Sequence, residues 1–158
     1  MHRAALSRPL LALTLAAVTG ASVAACSVPK PLVSFFSGGR TVSILPADYC
    51  TADLGKCQLG NAAAALSVPA GRLLQVSVAP EVASTPWLVA FKYKQAGQEL
   101  QGRSAVFQPD QQYAYTLSLP SSDQLESVQV DQGSVALSQD QNGYEFYARA
   151  VWQLNVGS

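Results

Sequence analysis

Thr85-Pro86-Trp87-Leu88-Val89-Ala90-Phe91-Lys92-Tyr93-Lys94 constrains the architecture more than any other segment of this 158-residue chain. Odd positions carry Trp87, Val89, Phe91 and Tyr93, and even positions carry Leu88, Ala90, Lys92 and Lys94. Side chains alternate faces along a strand, so one face is large and apolar while the other turns cationic towards its end. A proline-led aromatic strand of this kind belongs at the centre of a sandwich, where a tryptophan buries on the order of 200 Å².

Outward from it, short apolar-alternating runs recur between turn residues. Leu32 to Phe36 and Arg40 to Leu45 flank Ser37-Gly38-Gly39, and Arg72 to Val78 follows Pro69-Ala70-Gly71. Gly102 to Gln108, Tyr113 to Leu119 and Leu125 to Val130 continue the series. Residues 62–68 read equally as a strand or a helical turn, because four alanines follow Asn61. Asn142-Gly143 is a strong hairpin dipeptide, and Tyr144, Phe146, Ala148, Ala150, Trp152, Leu154 and Val156 then form one apolar face of a long closing strand. Eight or nine short strands without a long helix predict an all-β sandwich. Phe107-Gln108-Pro109-Asp110-Gln111-Gln112-Tyr113 resembles the tyrosine corner of fibronectin type III and immunoglobulin-like domains. The resemblance implies an immunoglobulin-like or fibronectin type III-like sandwich whose Tyr113 hydroxyl bonds back to the backbone.

The first 25 residues are a leader. Arg3 and Arg8 precede an apolar run from Leu10 to Val18, and Val23-Ala24-Ala25-Cys26 resembles the lipobox of bacterial lipoproteins. The order of charge, apolar run, small residues and cysteine implies cleavage before Cys26 and acylation (a palmitate-type chain) of that cysteine. The apolar run is too short and too rich in Ala, Ser and Thr to span a bilayer, which takes about 20 apolar residues. Three parts follow: a signal peptide over 1–25, a lipidated cysteine and tether over 26–31, and a sandwich domain over 32–158. Attached acyl chains, at about 0.8 kcal/mol per buried methylene, tie the domain to the membrane.

Cys50 and Cys57 remain in a chain sent to an oxidising compartment. They read as a structural disulfide, with a redox couple or half of a metal site as alternatives. Six residues separate the pair where redox motifs use two, and no further thiol or imidazole is left after the leader. The only histidine, His2, leaves with that leader, which removes histidine-based triads, histidine general bases and histidine metal ligands. Ser27-Val28-Pro29-Lys30 matches a serine–lysine pattern but carries a proline where that chemistry needs a rigid helix. Ser138 to Gly143 resembles the opening of a calcium loop, but Arg149 stands where a bidentate glutamate is required. No metal and no cofactor is expected.

After cleavage eight basic residues face ten acidic ones, so nothing points to nucleic acid. The carboxylates read as solvated surface charge, and Lys92, Lys94 and Arg103 as charges that protect a sheet edge. Phe35, Phe36 and Tyr147 read as core in preference to a ligand groove.

The lipobox, the cysteine pair, Pro80-Glu81-Val82-Ala83-Ser84-Thr85-Pro86-Trp87, Gly102-Arg103-Ser104 and Tyr113-Ala114-Tyr115-Thr116-Leu117 together look like a family of small actinobacterial lipoproteins of unknown function. That resemblance implies an extracytoplasmic, lipid-anchored location and brings no activity. The leading expectation is a non-enzymatic binding or assembly module of the cell envelope, with an envelope protein or lipid as partner. The alternative is a lipid or glycolipid carrier holding an apolar ligand between its sheets.

Overall fold

The structure, a computed structural model, describes residues 29–60, 63–134, 138–140 and 143–157, the side chains of 138–140 and 143–145 excepted. The leader, Cys26 and Asn142 of the hairpin dipeptide lie outside the described residues. In chain order the elements are β1 (Val33–Ser37), β2 (Arg40–Ile44), β3 (Asp48–Cys50), β4 (Cys57–Gln58), β5 (Ala63–Ser67), β6 (Leu74–Val78) and the helical turn α1 (Pro80–Ala83). Then follow β7 (Trp87–Gln95), β8 (Gln98–Arg103), β9 (Ala114–Leu117), β10 (Gln124–Gly133), β11 (Ser138–Asp140), β12 (Gly143–Glu145) and β13 (Ala148–Gly157). Four of these segments, β3, β4, β11 and β12, are three residues long or shorter. Of the longer strands, all but β5 are anticipated by the sequence pattern, and the helical turn α1 is not.

Two sheets form the sandwich. The smaller has the order β2-β1-β6-β9, and the larger β4-β3-β13-β10-β7-β8 with β5 joined to β13. Among the described residues every strand pairing is antiparallel except β5 with β13, which is parallel from Gln153↔Ala63 to Gly157↔Ser67. With β1-β6-β9 packed against β8-β7-β10-β13, this is the immunoglobulin-like arrangement, and Trp87 opens the strand that carries the core tryptophan of such domains.

The inward face of β7 is as its sequence implies, although Leu88, on the other face, is buried too. Trp87 and Val89 are fully buried, whereas Lys92 and Lys94 are exposed. The strand's own sheet adds Val128, Val130, Trp152 and Leu154, and the facing sheet Phe35, Leu74 and Val76, all fully buried. Each buried indole needs an acceptor for its N–H. Trp87 Nε1 donates to the Gln112 carbonyl at 3.1 Å, and Trp152 Nε1 donates to the Pro31 carbonyl at 3.1 Å. Each tryptophan therefore fills the core and also ties down a connecting segment. Gln132, also fully buried, acts in a similar way: its Nε2 donates to the Glu81 carbonyl at 2.7 Å and holds α1 against the larger sheet.

Several local expectations are corrected. Tyr113 is 45% exposed, and its carbonyl, rather than its hydroxyl, makes the bond that secures this segment, accepting from Val78 N at 2.9 Å. The segment precedes β9, whereas a tyrosine corner sits just before the strand corresponding to β10. There the turn into β10 is fixed by Asp123, whose carboxylate accepts from Gln95 Nε2 at 3.1 Å and Ser122 Oγ at 2.8 Å. Asp123 is thus 2% exposed, against the expectation of a solvated charge. Residues 63–67 of the ambiguous alanine run form β5, because strand β13 offers them a full ladder of backbone partners. β8 runs Gln98–Arg103, four residues ahead of the anticipated start, since the Ala96-Gly97 turn pairs Gln95 directly with Gln98. Its Gly102 is required: a Cβ there would lie 2.5 Å from the Phe91 ring.

The long closing strand is shorter than the apolar pattern implies. It starts at Ala148, beyond a register shift at Gln132/Gly133 where Ser134 N donates to the Tyr147 carbonyl at 2.8 Å. Ala150, Trp152 and Leu154 are buried, Ala148 is exposed, and Tyr144 lies on the separate hairpin β11–β12.

Candidate functional site

The sheet that buries Trp87 and Trp152 on one side presents a second, polar side to solvent. On β7, β10 and β13 the residues between the core positions are Ala90, Lys92, Ser127, Gln129, Asp131, Val151, Gln153 and Asn155. Strand registers bring them into rows. Arg103, Ala90, Gln129, Gln153 and Ala63 lie side by side across five strands. The adjacent row is Gln101, Lys92, Ser127, Asn155 and Ala65. Another is Leu88, Asp131, Val151 and Asp48.

Small residues alternating with amides leave the surface hollow. One trough of about 450 Å³ is lined by Asp48, Gly60, Ala63, Gln129, Gln153 and Asn155. A second of about 230 Å³ is lined by Ala90, Lys92, Gln101, Ser127 and the same Gln129 and Gln153. The two glutamines therefore stand between two hollows on one face.

The electrostatics of this face are balanced. Lys92 Nζ pairs with Glu99 Oε1 at 3.1 Å, and Lys94 Nζ pairs with Glu126 Oε1 at 2.5 Å. The Glu126 hydrogen bond, and then its charge, raise the Lys94 pKa. Of the three cations read as edge protection, Lys92 and Lys94 are paired with neighbouring strands, and Arg103 lies on the edge strand β8. Asp131 is the unusual group. Burial is the dominant influence and raises its pKa above the ordinary carboxylate value. Gln129 Nε2, which donates to its Oδ1 at 2.6 Å, partly opposes that rise. Asp48 is tied in a different way, accepting from Gly60 N at 3.1 Å.

The cysteines form a second, structural feature. Cys50 and Cys57 are bridged, with S–S 2.04 Å, at the base of the β3–β4 hairpin. The loop between them satisfies itself: Lys56 N donates to Thr51 Oγ1 at 3.1 Å and Gly55 N to Asp53 Oδ1 at 3.1 Å. The Thr51 hydroxyl, and then the Gly55 amide, lower the Asp53 pKa. The bridge thus closes a rigid knob at the sheet edge. Cys26 lies outside the described residues.

Of the three aromatic residues read as core in preference to a groove, only Phe35 is buried, and the three are not brought together. Phe35 is fully buried, while Phe36 on β1 and Tyr147, just ahead of β13, are both exposed. Between the sheets, the hollow lined by Val68, Leu117, Leu119 and Leu125 has a volume of about 10 Å³, roughly the room one water needs. Among the described residues no group of three or more His, Cys, Asp or Glu is placed to hold a metal ion. Among them, too, no helix is long and apolar enough to cross a membrane.

The outer face of the larger sheet offers amide donors and acceptors and hydroxyls on rigid strands. Such a surface can hydrogen-bond an uncharged polar ligand. Sequence reasoning missed it because Gln129 is far along the chain from Gln153 and Asn155; their shared outward position on strands was the available signal. A family model described as "Protein of unknown function (DUF2771)" matches residues 27–157. No curated protein and no solved structure matches the chain.

Proposed function

The chain belongs to that family of unknown function, and we propose that it is a lipid-anchored, extracytoplasmic binding module of the cell envelope, without enzymatic activity. The lipobox ending at Cys26 and the resemblance to small actinobacterial lipoproteins support the anchored location. The observation that carries the binding reading is the pair of polar troughs sharing Gln129 and Gln153 on the outer face of the larger sheet. Amide side chains donate and accept at once, which suits the hydroxyls of a glycan or another uncharged envelope ligand. The carrier reading draws no support from the interior, where tryptophans and aliphatic side chains fill the space between the sheets.

The test combines capture and titration. The lipidated protein, used as bait on intact envelopes, should retain a ligand that the Gln129→Ala, Gln153→Ala double variant loses by at least tenfold in affinity. Retention of the same ligand at full affinity by that variant would move the site elsewhere. Recovery of a tightly held acyl lipid extracted from the protein interior would restore the carrier reading.

A further inference from the structure

The smaller sheet has an outer face of very different character. Arg40 is the only charged residue in β1, β2, β6 and β9, and none of these strands carries an acid. Core positions such as Val33, Phe35, Leu74 and Val76 point inward, so the residues between them face out. Those outward residues are Ser34, Phe36, Thr41, Ser43, Gln75 and Ser77. Ser34 Oγ and Ser43 Oγ bond to each other at 2.7 Å, which lessens their demand for water. Large apolar side chains stand at both ends of this face: Leu32 is 45% exposed, Leu45 52%, Phe36 42% and Leu73 54%. Soluble surfaces ordinarily mix charges of both signs, and a sheet face without them marks a contact surface.

We propose that this face lies against the lipid bilayer, with Leu32, Leu45 and Phe36 in the interfacial region and Arg40 and Arg72 beside lipid phosphates. The inference rests on the reading of Cys26 as the acylated residue. Two observations select a lipid surface over other occupants. Covalent reach is the first: Pro31 is held to the core by Trp152, and Cys26 precedes it by only five residues. Even fully extended, those residues span no more than about 18 Å, and they lead straight into β1 of this sheet. The second is charge. Arg40 and Arg72 line one open hollow of about 480 Å³ with Ser37 and Gly38 at the end of the face away from the tether. Guanidinium groups beside hydroxyls suit a phosphate. In this orientation the troughs on the opposite sheet point away from the membrane, towards the envelope.

The experiment uses the lipidated protein in vesicles of phosphatidylcholine and phosphatidylglycerol. An environment-sensitive fluorophore is placed at Thr41→Cys on the smaller sheet, or at Gln129→Cys on the larger. The label at position 41 should shift to the blue and be quenched several-fold more strongly by brominated lipid than the label at 129. Phe36→Ser with Leu45→Ser should remove that difference while leaving the protein attached and folded by circular dichroism. Equal quenching of both labels, with intact mass showing acylated Cys26, would overturn the docked orientation but leave the anchored reading standing. An intact mass without acyl chains would overturn both. A blue shift that follows protein concentration and is insensitive to brominated lipid would assign the face to a second copy of the chain and sink the proposal.

Discussion

The two outer faces of this sandwich are built by the same alternation and reach opposite results. On the larger sheet the outward positions hold Lys92, Lys94, Glu99 and Glu126, which pair within the face, and Asp131 beside Gln129, and hollows remain between them. On the smaller sheet the outward positions hold serine, threonine, glutamine and phenylalanine, with Arg40 at the end. One surface is charge-balanced and hollow; the other is almost charge-free and carries exposed leucines at its ends. A shared core leaves each sheet free to specialise on its far side.

The strongest way to break the comparison is to remove what both faces stand on. Trp87→Ala leaves a cavity in a fully buried site and frees the Gln112 carbonyl. It should cost about 3–5 kcal/mol in urea unfolding, with both faces lost together. A near-neutral result would show that the faces do not share a common support.

Removing the bridge acts at one edge of the larger sheet. Cys50→Ala with Cys57→Ala should lower stability by about 1–3 kcal/mol and leave the overall fold recognisable by circular dichroism, because only a short loop is released. Free thiols titrating in the non-reduced native protein would contradict the bridge.

Asp131→Asn sharpens the comparison by removing the partly buried charge from the larger sheet's face. Because burial raises the Asp131 pKa, the native state holds this proton more tightly than the unfolded chain. The group's contribution to stability therefore falls as pH rises from the ordinary carboxylate value, about 4, through the raised native one. The variant keeps an oxygen to accept from Gln129. It should be more stable than the parent at neutral pH, with the advantage shrinking as pH falls through that window. An advantage independent of pH would assign the effect to packing.

The smallest effects concern exposed groups. Lys92→Ala breaks a half-exposed ion pair and should cost less than about 0.5 kcal/mol. Tyr113→Phe should be smaller still, because that side chain is exposed. A loss of about 1 kcal/mol or more on Tyr113→Phe would restore a structural role for its hydroxyl.

How much of this was legible in the chain follows from the range of the forces involved. Alternation is a local property, so the strand containing Trp87, its inward aromatic face and the all-β class could be read from residues a few places apart. The cysteine pair was equally readable, since seven positions separate the two residues. The troughs were not: Gln129 and Gln153 meet only because β10 pairs with β13 in one register, and a one-residue slip of either strand would turn its glutamine inward. The alanine run over 63–67 had no conformational preference of its own, and a parallel partner in β13 made it a strand. Asp123 looked like any turn carboxylate until Gln95, far along the chain, supplied the hydrogen bond that lets it be buried. By itself the sequence determined the period of each strand and most of its inward face, although Phe36 and Tyr147, apolar enough to read as core, stand exposed. Only the tertiary structure decided which outward side chains became neighbours, because strand pairing joins residues whose separation along the chain carries no local signal.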